Sequence, residues 1–193
     1  MSIRSLISGD WMREKVRSSE AYRSAVDFCH DYKPTPSTDY AWVLDHAAKE
    51  FEQTSARVAG LDAKAESLIG YLGAGSGIIS VALAFGLEPH PKLALWIGAP
   101  PLLMLLVAVL LALSSRTPAL MPALPHTRDA LMELDAAPLV AKGKLAAYIW
   151  MSSQGLSLTA REKARLIRTA FALFAAAVSW LVVASIISRV VGH

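Results

Sequence analysis

The chain has 193 residues, 54% of them hydrophobic and 18% charged, against about 25% charged in ordinary soluble domains. Its net charge of +3 is small and scattered, which argues against nucleic acid as a partner. A single cysteine, Cys29, excludes a disulfide framework and any multi-cysteine metal site.

The length allows one domain or two, and the apolar residues are not spread evenly. Leu68–Leu87, Leu93–Leu113 and Ala170–Ser188 are uncharged runs of 20, 21 and 19 residues. As helices each is about 30 Å long, the thickness of a bilayer's hydrocarbon core. The runs lack strand alternation, so a β-barrel is excluded, and no aqueous core of this size needs three such helices. The predicted fold is all-α: an integral membrane protein with three transmembrane helices, a helical cytoplasmic stalk and a helical cytoplasmic loop.

Taken in chain order, the N-terminal stretch MSIRSLISGD lacks the apolar run of a secretory signal. Residues 10–31 carry a helical pattern around Trp11, Val16, Tyr22, Val26 and Cys29. Asp27, Cys29, His30 and Asp31 match no metal-ligand spacing and read as a solvated helix face. The two prolines of PTPST, 34–38, break the chain, and Asp39 is placed to cap a second helix. From there Leu44, Ala47, Phe51, Thr54, Val58, Leu61, Ala65 and Leu68 follow a heptad seam into the first span. The seam fits a coiled-coil stalk, or equally one amphipathic helix packed on the later loop. Gly60 weakens it by about 1 kcal/mol relative to alanine.

Within the first span, Gly73 and Gly77 form a GxxxG pair, and Ser76, Ser80 and Ala84 extend a small-residue face. Small residues permit close helix approach in lipid, so this face is expected to be covered by protein, either within the bundle or between copies. EPHPK, 88–92, is the turn to the second span, where Pro100-Pro101 remove two backbone donors and should kink the helix. TPALMPALPH, 117–126, reads as a proline-broken turn, followed by a short helix Arg128–Ala136 stopped near Pro138. Residues 139–154 read as another helix ended by Gly155. Thr159-Ala160-Arg161-Glu162 has capping-box spacing and should start the last helix, running to Val191.

Basic residues set the orientation. With three spans, residues 1–67 and 114–169 share one side with 17 Lys/Arg, against 2 on the other. The positive-inside rule puts that first side in the cytoplasm and the C-terminus outside. Arg161, Arg165 and Arg168, with Lys163 nearby, sit just before the third span, where they suit anionic headgroups. They also suit ion pairs with Glu50, Glu52, Asp62 or Glu66 of the stalk. No G-x-S-x-G, P-loop or H-E-x-x-H is present, the five histidines are scattered, and no catalytic, metal or cofactor site is expected.

Leu61-Asp62-Ala63-Lys64-Ala65, shortly before the first span, resembles the D-x-K-A signature of the Pycsar-type transmembrane effectors, a bacterial anti-phage family. Glu162-Lys163-Ala164-Arg165-Leu166-Ile167-Arg168 is similar to that family's basic lead-in to its last span. The likeness covers residues 45–190. It implies an oligomeric inner-membrane effector with a periplasmic C-terminus, triggered by a cyclic pyrimidine mononucleotide from a partner cyclase. A small channel or transporter subunit, or a membrane anchor, are the alternatives. If the nucleotide binds directly, its phosphate needs cationic donors on the cytoplasmic side. Residues 114–169 are the net-positive segment, so Lys142, Lys144, Arg161, Arg165 and Arg168 are the candidates for phosphate or lipid-headgroup contact.

Overall fold

The computed structural model describes residues 10–35, 39–86, 91–116 and 137–191, and every regular element among them is a helix. The elements are α1 (Asp10–Ser18), α2 (Glu20–Asp31), α3 (Ala41–Gly86), α4 (Pro91–Ser115) and α5 (Pro138–Val191). They divide into two compact units. Unit I takes the described residues of 62–117 and 163–193, and unit II those of 9–61 and 118–162.

In unit II, the pattern over residues 10–31 resolves into two helices. Ser19 separates them: its hydroxyl accepts from Tyr22 N at 3.3 Å, and its own N–H closes α1 on Val16 O. A serine that caps the following turn competes with helix continuation, and here the cap prevails. Met12, Val16 and Ala25 are the buried positions, while Val26 is exposed. Asp39 acts at the start of α3, its carboxylate accepting from Ala41 N at 2.9 Å. Beyond it, Ala47 and Val58 are buried as the heptad seam requires. Phe51, Val58 and Leu61 pack with Leu156 and Ala160 of α5, so the seam's partner here is the helix of the later loop.

α5 differs from the expected layout. It begins where the second helical stretch of the loop is expected, with Pro138 in its first position, where the missing N–H and fixed φ cost nothing. Ala141 N bonds to Ala137 O at 2.9 Å, closing the first turn. The helix then runs 54 residues without the break expected at Gly155. The Thr159 hydroxyl donates to Gly155 O at 2.8 Å, an interior back-bond one turn away, so the capping-box spacing is not used. Gly155, Leu156, Thr159 and Ala160 are all buried, and this packing outweighs glycine's propensity cost of about 1 kcal/mol.

In unit I, Leu68 and Leu72 of α3 meet Leu105, Ala108 and Ala112 of α4 and Ala170 and Ala177 of α5. Four of these seven are alanines, which bring helix backbones close. α3 and α5 run parallel here: Asp62 pairs with Lys163, and further along Gly75 meets Phe174. α4 runs the other way, since Arg116 at its end reaches Glu66. The helix continues through Pro100 and Pro101 to Ser115, and Pro101 is fully buried. The hydroxyls of Ser114 and Ser115 are spent on Leu111 O and Ala112 O.

Among the described residues, α5 is the one helix with a stretch long and apolar enough to cross a membrane. The apolar stretch of α4, Ala99–Ser115, is shorter. The helix expected at Arg128–Ala136, the turn before it and residues 87–90 of the turn between the first two spans lie outside the described residues.

Candidate functional site

The five cationic candidates do not converge. Lys142 and Lys144 lie in the first two turns of α5, half-buried in unit II. Arg161 is 19 residues beyond Lys142 on the same helix, about 28 Å away at 1.5 Å per residue. No single phosphate bridges that distance. Gly143, flanked by the two lysines, serves packing. A Cβ added there would lie 2.7 Å from Pro34 Cβ and 3.1 Å from Tyr40 Cε2. The absent side chain lets Pro34 and Tyr40 press onto α5, with Thr35 N donating to the Tyr40 hydroxyl at 2.8 Å. That close approach explains the glycine without a ligand.

Arg161, Arg165 and Arg168 are exposed, and none of them is ion-paired to a described residue. The stalk carboxylates take other partners. Glu66 accepts from Arg116 at 2.9 Å, and Glu50 from the Ser153 hydroxyl at 3.3 Å. Asp62 is paired with Lys163 at 2.5 Å. The Glu66–Arg116 side chains are 64% and 48% exposed, which limits that pair to about 1 kcal/mol at most.

Lys163 is different. Its side chain is 0% exposed, and its Asp62 partner is 40% exposed. Removing one partner of a buried pair costs about 3–5 kcal/mol, and the wet side of Asp62 places this pair at the low end. Lys163 lies on the buried face of α5 with Leu156, Ala160, Leu166 and Ala170, opposite the arginines. The sequence signal for it was a lone lysine recurring in phase with that apolar face, two residues out of phase with Arg161 and Arg165.

The described contacts of α3 in unit I centre on its leucines. Within the chain α3 packs through Ala65, Leu68 and Leu72. A Cβ added at Gly70, Gly73 or Gly77 meets no described atom within 4 Å, whereas at Gly75 it meets the Phe174 ring at 3.2 Å. The side chains of Ser76, Ser80 and Ala84, the rest of the small-residue face, lie outside the described residues.

Around unit I runs an exposed apolar surface: Tyr71 on α3, Leu102, Leu103 and Leu106 on α4, and Phe171, Val182 and Ile186 on α5, each 41% to 65% exposed. Only 17% of the apolar window of α5 is buried inside the chain. A core helix of a soluble protein would be covered. This surface is the largest chemical feature of the unit.

Cys29, half-buried on α2, has its thiol pushed above its ordinary value by burial. Less thiolate then forms at a given pH, so Cys29 should alkylate severalfold more slowly in folded protein than in unfolded chain at pH 8. Burial of the neutral thiol contributes stability below the unfolded value of 9.0 and loses it as pH rises towards the folded value. Timed labelling with iodoacetamide checks the first statement. A folded rate equal to the unfolded one would contradict it. Among the described residues no group of three His, Cys, Asp or Glu side chains is placed to hold a metal ion. No protein-family model, curated protein or solved structure matches this chain.

Proposed function

We propose that the chain is a three-span inner-membrane protein, with residues 1–67 and the loop 114–169 in the cytoplasm and the C-terminus in the periplasm. It acts as an oligomeric effector that impairs the bilayer after a cyclic pyrimidine nucleotide signal. The observation that carries the membrane reading is the uncovered apolar surface of unit I. Each large side chain left in water forgoes about 1.5–3 kcal/mol of burial, and a bilayer removes that penalty for all of them together. The exposed Arg161, Arg165 and Arg168 precede the apolar part of α5, where anionic headgroups are met at about 1 kcal/mol per residue. The D-x-K-A resemblance supports the effector role, and Gly73 and Gly77, where an added Cβ meets no described atom within 4 Å, support self-association.

The test uses purified protein in dye-loaded liposomes. Dye release on addition of a cyclic pyrimidine mononucleotide is expected, and Gly73→Leu/Gly77→Leu should abolish it. An added Cβ at Gly73 or Gly77 meets no described atom within 4 Å, so the substitution is aimed at packing between copies, and unchanged helical circular dichroism is its control. Unchanged leakage in the double variant rejects oligomerisation through this face. Steady flux without nucleotide instead identifies a channel, and no flux at all an anchor.

A further inference from the structure

We propose that Asp62–Lys163 is a clasp that sets the register of α5 on α3 in unit I. The apolar contact between these helices is non-directional: on α5 Ala170 and Ala177 are buried against Leu68 and Leu72 of α3, with Ile167, Leu173, Phe174 and Leu181 packed around them. Against this background one buried ammonium has a single position at which its charge is met. Lys163 is wholly enclosed, and its Nζ reaches Asp62 Oδ1. A displacement of one turn, about 5.4 Å, would leave the ammonium among leucines and alanines. A lone polar residue on an apolar seam is known to act in this way, giving up stability to specify one alignment.

Asp62 also lies four residues from Glu66, so one face of α3 presents two carboxylates to two different helices. Glu66 takes Arg116 at the end of α4, and Asp62 takes Lys163 of α5. The outer pair is wet and replaceable by water. In the inner one water reaches Asp62 but not Lys163, so the ammonium has no substitute partner. The clasp is thus a property of the fold of unit I and stands whether or not the chain impairs membranes.

Disulfide mapping tests it on the full chain in nanodiscs, with Cys29 replaced by serine. Leu68→Cys is combined in turn with cysteine at Leu166, Ala170 and Phe174, and oxidised yields are read by mass spectrometry. With Asp62 present the yield should peak at position 170, since Leu68 and Ala170 share one buried cluster. Asp62→Asn should lower that yield about tenfold and raise the yield at 166 or 174, as Lys163 seeks water. Asp62→Glu should keep the peak, and the exchanged pair Asp62→Lys/Lys163→Asp should restore it. A peak that stays at 170 in Asp62→Asn overturns the clasp. If Asp62→Asn gives no disulfide anywhere, the exchanged pair decides: a restored peak supports the clasp, and its absence overturns it.

Discussion

Leu103→Arg is expected to reduce the alkali-resistant, membrane-inserted fraction of the protein by about a hundredfold, the equivalent of the ~3 kcal/mol that arginine costs at mid-membrane. Leu103 is 63% exposed and lies at the centre of the proposed second span. In a protein surrounded by water, a charge on an exposed position away from caps and pairs changes stability by about 0.5 kcal/mol or less. The control is Val43→Arg, on an exposed position of α3 in unit II, which should have no effect on insertion. The contrast separates solvent from lipid at two exposed apolar positions. Equal behaviour of the two variants would mean that the apolar surface faces water.

Gly143→Ala and Gly60→Ala should shift stability in opposite directions, although both replace a helical glycine of unit II. An alanine in either place gains up to about 1 kcal/mol of helix propensity. At Gly60 nothing lies within 4 Å of the new Cβ, so that gain is realised in full. At Gly143 the Cβ would meet the Pro34 ring at 2.7 Å. A proline ring cannot swing aside, and overpacking of this kind costs about 1–3 kcal/mol. Gly143→Val adds bulk on the same side and should lower the melting temperature by at least 5 °C, at about 2–4 °C per kcal/mol. Helical circular dichroism in nanodiscs reads all three. Stabilisation by Gly143→Ala would show that Pro34 and Tyr40 do not press on α5.

What the sequence made legible follows from how local each signal is. The seam from Leu44 to Leu68 was readable because its spacing repeats over seven turns, and Ala47, Val58, Ala65 and Leu68 are buried accordingly. Periodicity alone left its partner open between another copy and the later loop. Gly155 and Thr159 misled because stop and capping signals report only local preference. Burial of both residues inside one long helix overrode them. Gly73 and Gly77 announced close approach without saying from which side. Lys163 stands among the arginines in sequence, and its residue type suggests a headgroup contact; only its phase on the helix sets it on the buried face.

The two ion pairs of unit I also imply an order of assembly. Glu66 and Arg116 are 50 residues apart in the chain, whereas Asp62 and Lys163 are 101 apart. During synthesis at about 5–20 residues per second, Asp62 leaves the ribosome roughly 5–20 s before its lysine. The α3–α4 hairpin can therefore be tied at Glu66 while Asp62 is still hydrated, and α5 arrives last, carrying the charge that Asp62 awaits. A carboxylate already held on a finished hairpin is a fixed target for the incoming helix. In chain order, the contact that joins α5 to the hairpin is the later of the two described pairs to become available.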